Sequence, residues 1–184
     1  MMDANSIGAD RAGHPRLFRA IGTACGALAM ILPVAVVGFW LLAPLETLAT
    51  ATPLPAAVFD KLDLAGRAGA AVIGAIPLAV LVWALLRVRQ TFIAFAAGRI
   101  FSSEAIAGLR DFAIGVGVSA LAKPLVTMLL SLYLTWGQPQ GQRQLVVMLG
   151  SDTLLFVLFA AIFLSATWIM RQAAAVAEEN RQFI

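Results

Sequence analysis

Four long apolar runs, each broken by at most one charge, set the pattern of this chain. Residues 20–45 and 68–86 carry no charge at all. Residues 112–136 are interrupted only by Lys123, and residues 145–170 only by Asp152. A bilayer core of roughly 30 Å is crossed by about 20 apolar residues in a helix. The runs do not alternate between polar and apolar positions as the strands of a membrane barrel would. Helices satisfy their own backbone hydrogen bonds in lipid. The pattern therefore predicts an all-α, polytopic membrane protein, a four-transmembrane-helix bundle forming one membrane domain over residues 1–184. Its spans fall at about 18–43, 67–88, 111–136 and 146–170. An external loop is expected at 44–66, a cytoplasmic helical hairpin extension at 88–110 and a cytoplasmic tail at 171–184.

Aromatic and basic residues refine this picture. Trp40, Trp83, Trp136 and Trp168 each fall toward one end of a run, with Tyr133 beside Trp136. Amphipathic rings settle at the headgroup level, so these positions are expected to form an interfacial belt. Arg11, Arg16 and Arg19 precede the first span, Arg87, Arg89, Arg99 and Arg110 lie between the second and third, and Arg171 and Arg181 follow the fourth. The opposite side holds only Lys61, Arg67 and Arg143. The positive-inside rule then places both termini and the central connection in the cytoplasm. The first run resembles a secretory leader, with Ala49-Thr50-Ala51 as a cleavage site, but it far exceeds an h-region of about 7–15 residues and reads as an uncleaved span.

Composition agrees. Hydrophobic residues make up 61% of the 184 and charged residues 12%, against about 25% charged in soluble domains. The net charge of +3 is explained by topology, which leaves no argument for nucleic-acid binding. Cys25 is the only cysteine, which excludes an intrachain disulfide and a Cys-based metal site. His14, the only histidine, reads as a solvated tail residue rather than a ligand. No phosphate-binding glycine loop, nucleophile elbow or His-Glu-x-x-His pattern occurs. The expectation is no catalytic residue, no cofactor and no enzyme.

The first external loop contains Pro44, Pro53 and Pro55 and the short amphipathic stretch Val58-Phe59-Asp60-Lys61-Leu62. It reads as a surface loop with one or two helical turns lying on the membrane. The second, residues 137–143, is short, polar and glutamine-rich.

The central connection holds the clearest local signals. Phe92, Ile93, Phe95 and Ala96 continue a helical pattern past the second span. Gly98 suits a left-handed helix C-cap. Ser102 or Ser103 suits an N-cap, and Glu104 the positive end of the following helix dipole. Two spans thus continue into the cytoplasm as a hairpin with Arg99-Ile100-Phe101 at its tip. Phe95, Gly98, Arg99, Phe101, Ser102 and Glu104 are the candidate surface for a cytoplasmic or membrane protein partner, weighed against a hairpin that only orients two spans.

The stretch Thr91-Phe-Ile-Ala-Phe-Ala-Ala-Gly98-Arg-Ile-Phe101-Ser102-Ser-Glu104, followed by Leu109-Arg110, resembles the signature of the domain-of-unknown-function 2975 family of small four-helix bacterial membrane proteins. The pattern there is a phenylalanine pair, a glycine, then phenylalanine, a small hydroxyl residue and an acidic residue. The tail from Met170-Arg171 to Glu178-Glu179-Asn180 is similar to that family's closing acidic run, whereas Arg181-Gln-Phe-Ile184 is shorter than the family's usual tail. The resemblance covers the chain from about Leu17 onward. It implies a membrane location and little more; some relatives are encoded near small DNA-binding regulators, which hints at regulation.

Ionisable residues within spans are functional candidates by default. Lys123 lies eleven residues past Phe112, roughly 17 Å into the core. Asp152, entering from the opposite surface, is expected roughly 10 Å below it, within reach of Lys123. Ser119, Lys123, Thr127 and Ser131 recur every four residues and share one helix face, which should point into the bundle. Pro124 frees a backbone carbonyl near Ala120. This candidate buried polar site either fixes helix neighbours through an ion pair or lines a cavity for an ion, proton or ligand. Pro33, Pro77 and Pro124 sit near span centres, as in transporters with broken helices. Gly22, Gly26 and Ala29, and Gly115 with Ser119, form small-residue faces that pack helix on helix within the chain, a homodimer being the alternative. Two functions follow: an accessory or regulatory membrane protein acting through its hairpin, or a small transporter or channel using the polar stripe.

Overall fold

The computed structural model describes residues 15–52, 54–59, 62–100, 102–137 and 145–182. Arg11, His14, Pro53, Lys61, Phe101, Arg143 and the residues 138–144 that hold most of the connection between the third and fourth spans lie outside them. The described residues form α1 (Pro15–Leu42), α2 (Leu45–Ala51), a 3-10 turn (Ala56–Val58), α3 (Leu64–Ala96), α4 (Ser103–Thr135) and α5 (Ser151–Gln182), with no strand among them. Four of these, α1, α3, α4 and the Ser151–Val176 part of α5, are long and apolar enough to cross a membrane. The chain is a multi-pass membrane protein.

Spatial neighbours follow chain order. α1 packs on α3, α3 on α4 and α4 on α5. Small residues set these seams. Gly22 of α1 meets Phe92 and the Arg89 carbonyl, and Gly26 lies against the Arg89 side chain. On α4, Gly115 faces Ala84, and Gly108 faces Thr91 and the Arg87 carbonyl. Ala84 and Thr91, like Gly108 and Gly115, are seven residues apart, the spacing that keeps two helices in contact along a left-handed crossing. On α5 the buried stripe is Thr153, Ala160 and Thr167, again at sevens.

The loop between α1 and α3 departs from its expected form. Leu48 and Phe59 are almost wholly buried, and Leu54 and Val58 join them in a core with Trp40, Ala70, Ala71 and Leu134. The segment plugs the ends of α1, α3 and α4 instead of lying on the surface, because its apolar side chains find a common core there. Trp40 is likewise not a belt residue. It is 6% exposed, with its indole against Gly74, whose missing side chain makes the room. Trp83, Trp136 and Trp168 remain exposed. Arg67 donates from Nη1 to the Leu41 and Ala43 carbonyls at 3.2 and 3.0 Å, so a cation satisfies orphan groups at the C-terminus of α1. Asp63 caps α3, accepting from the Gly66 N–H at 2.8 Å.

The fourth span begins later than expected. Residues 145–150 are non-helical and α5 starts at Ser151. Gly150 disfavours helix, while Ser151 and Asp152 suit a first turn at the positive end of the dipole. Asp152 therefore lies in the first turn of α5, not well inside a span.

Candidate functional site

Two places carry the polar residues singled out in the sequence. The first is the turn between α3 and α4. Both helices run 33 residues, about 50 Å at ~1.5 Å per residue, so they outrun a bilayer core of about 30 Å. The turn is closed from both sides. Gly98 takes φ +77°, its N–H donates to the Phe95 carbonyl, and the Arg99 N–H donates to the Ala94 carbonyl, both at 3.0 Å. This is a Schellman C-cap. Ser102 Oγ accepts from the Ala105 N–H at 3.2 Å and donates to the Arg99 carbonyl at 3.1 Å. Behind the turn, Thr91 Oγ1 donates to the Ala105 carbonyl at 3.1 Å, and Asp111 pairs with Arg87 and Arg110 at 3.3 and 3.0 Å. Phe18 of α1 packs against Phe92 and Phe95.

The six hairpin candidates thus divide by role. Gly98 and Ser102 shape the turn, and Phe95 is half-buried in the aromatic cluster. Arg99 and Glu104 face outward, 3.5 Å apart, with side chains 58% and 65% exposed. Phe101 lies outside the described residues. Ile100, which sequence reasoning placed only at the tip, is exposed beside Arg99. Gly98→Ala should cost about 1–2 kcal/mol, the strain of a side chain in the left-handed region. Ser102→Ala should cost about 1 kcal/mol through the lost cap. Thermal unfolding of the purified protein in detergent checks both.

The second place is the face of α4 around Lys123. Its ammonium pairs with the Asp152 carboxylate across the α4–α5 seam. The register of that seam runs from this pair through Gly117 against Ala160 and Phe112 against Phe163, so α5 begins level with Lys123. The hydroxyls of the stripe are otherwise spent on backbone. Ser119 donates to the Pro77 carbonyl at 2.9 Å, tying α4 to α3. Thr127 donates back to the Lys123 carbonyl at 3.0 Å. Ser131 donates to the Met128 carbonyl and accepts from the Val146 N–H at 3.1 Å, which fixes the chain entering α5. Ser131 is buried as expected of an inward stripe. The pair is not: the Lys123 and Asp152 side chains are 60% and 47% exposed, and Lys123 borders an opening among α1, α3, α4 and α5. Thr153 Oγ1, next to the pair, is buried with no hydrogen-bond partner among the described residues.

That opening is a groove of about 550 Å³. Leu28 and Leu32 of α1, Leu81 and Leu85 of α3, and Phe156 and Phe159 of α5 line it, with Phe112 and Lys123 at its two ends on α4. Sequence reasoning did not find the groove, since its lining residues look like any other apolar span positions. Among the described residues no group of three or more His, Cys, Asp or Glu could hold a metal ion.

Compared with known proteins, the chain matches no protein family, no curated protein and no solved structure. The resemblance to the domain-of-unknown-function 2975 family therefore rests on the residues of the α3–α4 turn and the tail alone.

Proposed function

We propose that this is a non-catalytic accessory or regulatory protein of the inner membrane, with both termini in the cytoplasm, that acts by presenting the α3–α4 turn to a partner protein. The observation that carries this reading is the doubly capped turn. A connection that only joined two spans has no need of helices that outrun the bilayer; the Schellman and serine caps end those helices as caps do elsewhere and fix the turn between them. These devices hold Arg99, Ile100 and Glu104 outward in one fixed arrangement, which is the condition for binding without a large ordering cost. The charge bias supports the cytoplasmic side.

Arg99→Glu combined with Ile100→Ser tests this. Exposed substitutions of this kind change stability by only about 0.5 kcal/mol, so the variant should melt like the wild type. Its co-purifying partner in mild detergent should fall by about tenfold or more, the loss of one binding anchor. The same proteins recovered in wild-type amounts would refute the reading.

A second reading, a small transporter or channel, draws on the exposed Lys123–Asp152 pair and the unpartnered Thr153 hydroxyl. Against it stands the stripe itself, whose hydroxyls are committed to backbone carbonyls and offer no continuous polar path.

A further inference from the structure

We propose that the groove is a lipid site: it holds one acyl chain of an anionic glycerophospholipid from the leaflet at the hairpin end, with the lipid phosphate on Arg89. The argument begins with dimensions. The groove follows α4 from Phe112 to Lys123, eleven residues or about 17 Å. That is close to half of a bilayer core of about 30 Å, the depth that one leaflet's chains fill. Its lining is almost entirely hydrocarbon, which suits an acyl chain and leaves a polar solute or extended peptide without partners. It opens laterally, at the level of the lipid itself.

The headgroup end is marked by charge. Leu81, Leu85 and Arg89 recur every four residues on α3 and so follow one face, which sets Arg89 one turn beyond the groove's hairpin end. Its side chain lies across Gly26 of α1, where an added Cβ would come within 3.2 Å of its Cδ and Nε. Gly26 thus makes the bed for this guanidinium. Of its basic neighbours on α3, the turn and α4, Arg87 and Arg110 share Asp111 and Arg99 pairs with Glu104. Arg16 and Arg19 of α1 and Arg171 of α5 form no ion pair among the described residues, and what singles out Arg89 is its place on the α3 face that continues the groove. Arg89 has no ion-pair partner among the described residues. An unmatched guanidinium at headgroup depth recognises a phosphate through paired N–H donors, and anionic lipids supply that charge. Lys123 at the deep end is held by Asp152 and makes no demand on the ligand.

The test uses the full-length protein purified in detergent, with bound lipid counted by native mass spectrometry. Phosphatidylglycerol and phosphatidylcholine of identical chains are supplied in competition. The wild type should retain one phosphatidylglycerol, preferred over phosphatidylcholine by about fivefold, the scale of one arginine against an anionic headgroup. Arg89→Gln should bring the preference to unity while the chain still binds. Leu81→Trp, which fills the groove, should lose both lipids, and Leu32→Phe provides a milder filling variant should the first fail to fold. No preference in the wild type, or an unchanged preference in Arg89→Gln, overturns the proposal. So does displacement of the lipid by inorganic phosphate, which would make this a plain anion site, or a groove occupied by a second copy of the chain.

Discussion

Gly115→Val is expected to produce a large loss of stability at the α3–α4 seam. A Cβ at this position would stand 2.5 Å from the Ala84 Cβ, with Trp83 also in contact. Ala84 is fully buried and has no flexible end to swing aside, so the two helices must separate. Overpacking of this kind costs about 1–3 kcal/mol, and the loss is not local. The same seam carries the Thr91–Ala105 and Ser119–Pro77 hydrogen bonds, which require the helices to stay close. The melting temperature in detergent should fall by roughly 5 °C or more. Gly38→Ala is the control, because nothing lies within 4 Å of its would-be Cβ. It should be neutral or stabilising, by up to about 1 kcal/mol.

Lys123 and Asp152 should show the strongest coupling in the molecule. Each neutralises the other in a region where the surrounding helices are apolar. Lys123→Met alone leaves a carboxylate at the start of α5 without its cation, and Asp152→Leu alone leaves an ammonium in the middle of α4. Both should lower the yield of folded protein in the membrane and its melting temperature, since a lone charge is costly where a matched pair is tolerated. The double variant should recover most of both, so that its effect is smaller than either single one. If it is instead as damaged as the two singles combined, the pair is not what joins these helices. If it folds normally and the protein's role in the cell is lost, the transporter reading gains over the accessory one.

How much of this was readable from the sequence depends on the range of the interaction. Local signals were legible. Gly98 and Ser102 declared the turn, because a left-handed glycine and a serine cap act within a few residues. The Lys123–Asp152 pair forms, but not by the expected route: helical rise from residue 145 set Asp152 inside a span, whereas it lies in the first turn of α5. Hydropathy identified the four spanning helices. The misses are long-range or a matter of context. Trp40 has the composition of a belt residue, and only the folded loop between α1 and α3 and Gly74 bury it. Leu48 and Phe59 could not be assigned to a core that α1, α3 and α4 build from distant segments. The late start of α5 did have a local signal, Gly150-Ser151-Asp152, which the surrounding apolar run outweighed. The contact of Gly108 with Thr91, the groove and the unmatched Arg89 arise only once neighbours and ion pairs are known.

The claim at the centre of this account is that the capped α3–α4 turn is the working end of a membrane protein. A photoreactive residue in place of Ile100, activated in living cells, tests it most directly, with the same probe in place of Leu129, on an exposed apolar face of α4, as the reference. The account predicts one discrete protein adduct from position 100, absent from position 129 and abolished by Gly98→Val, which strains the turn. No adduct at position 100, or the same adducts from both positions, would contradict it.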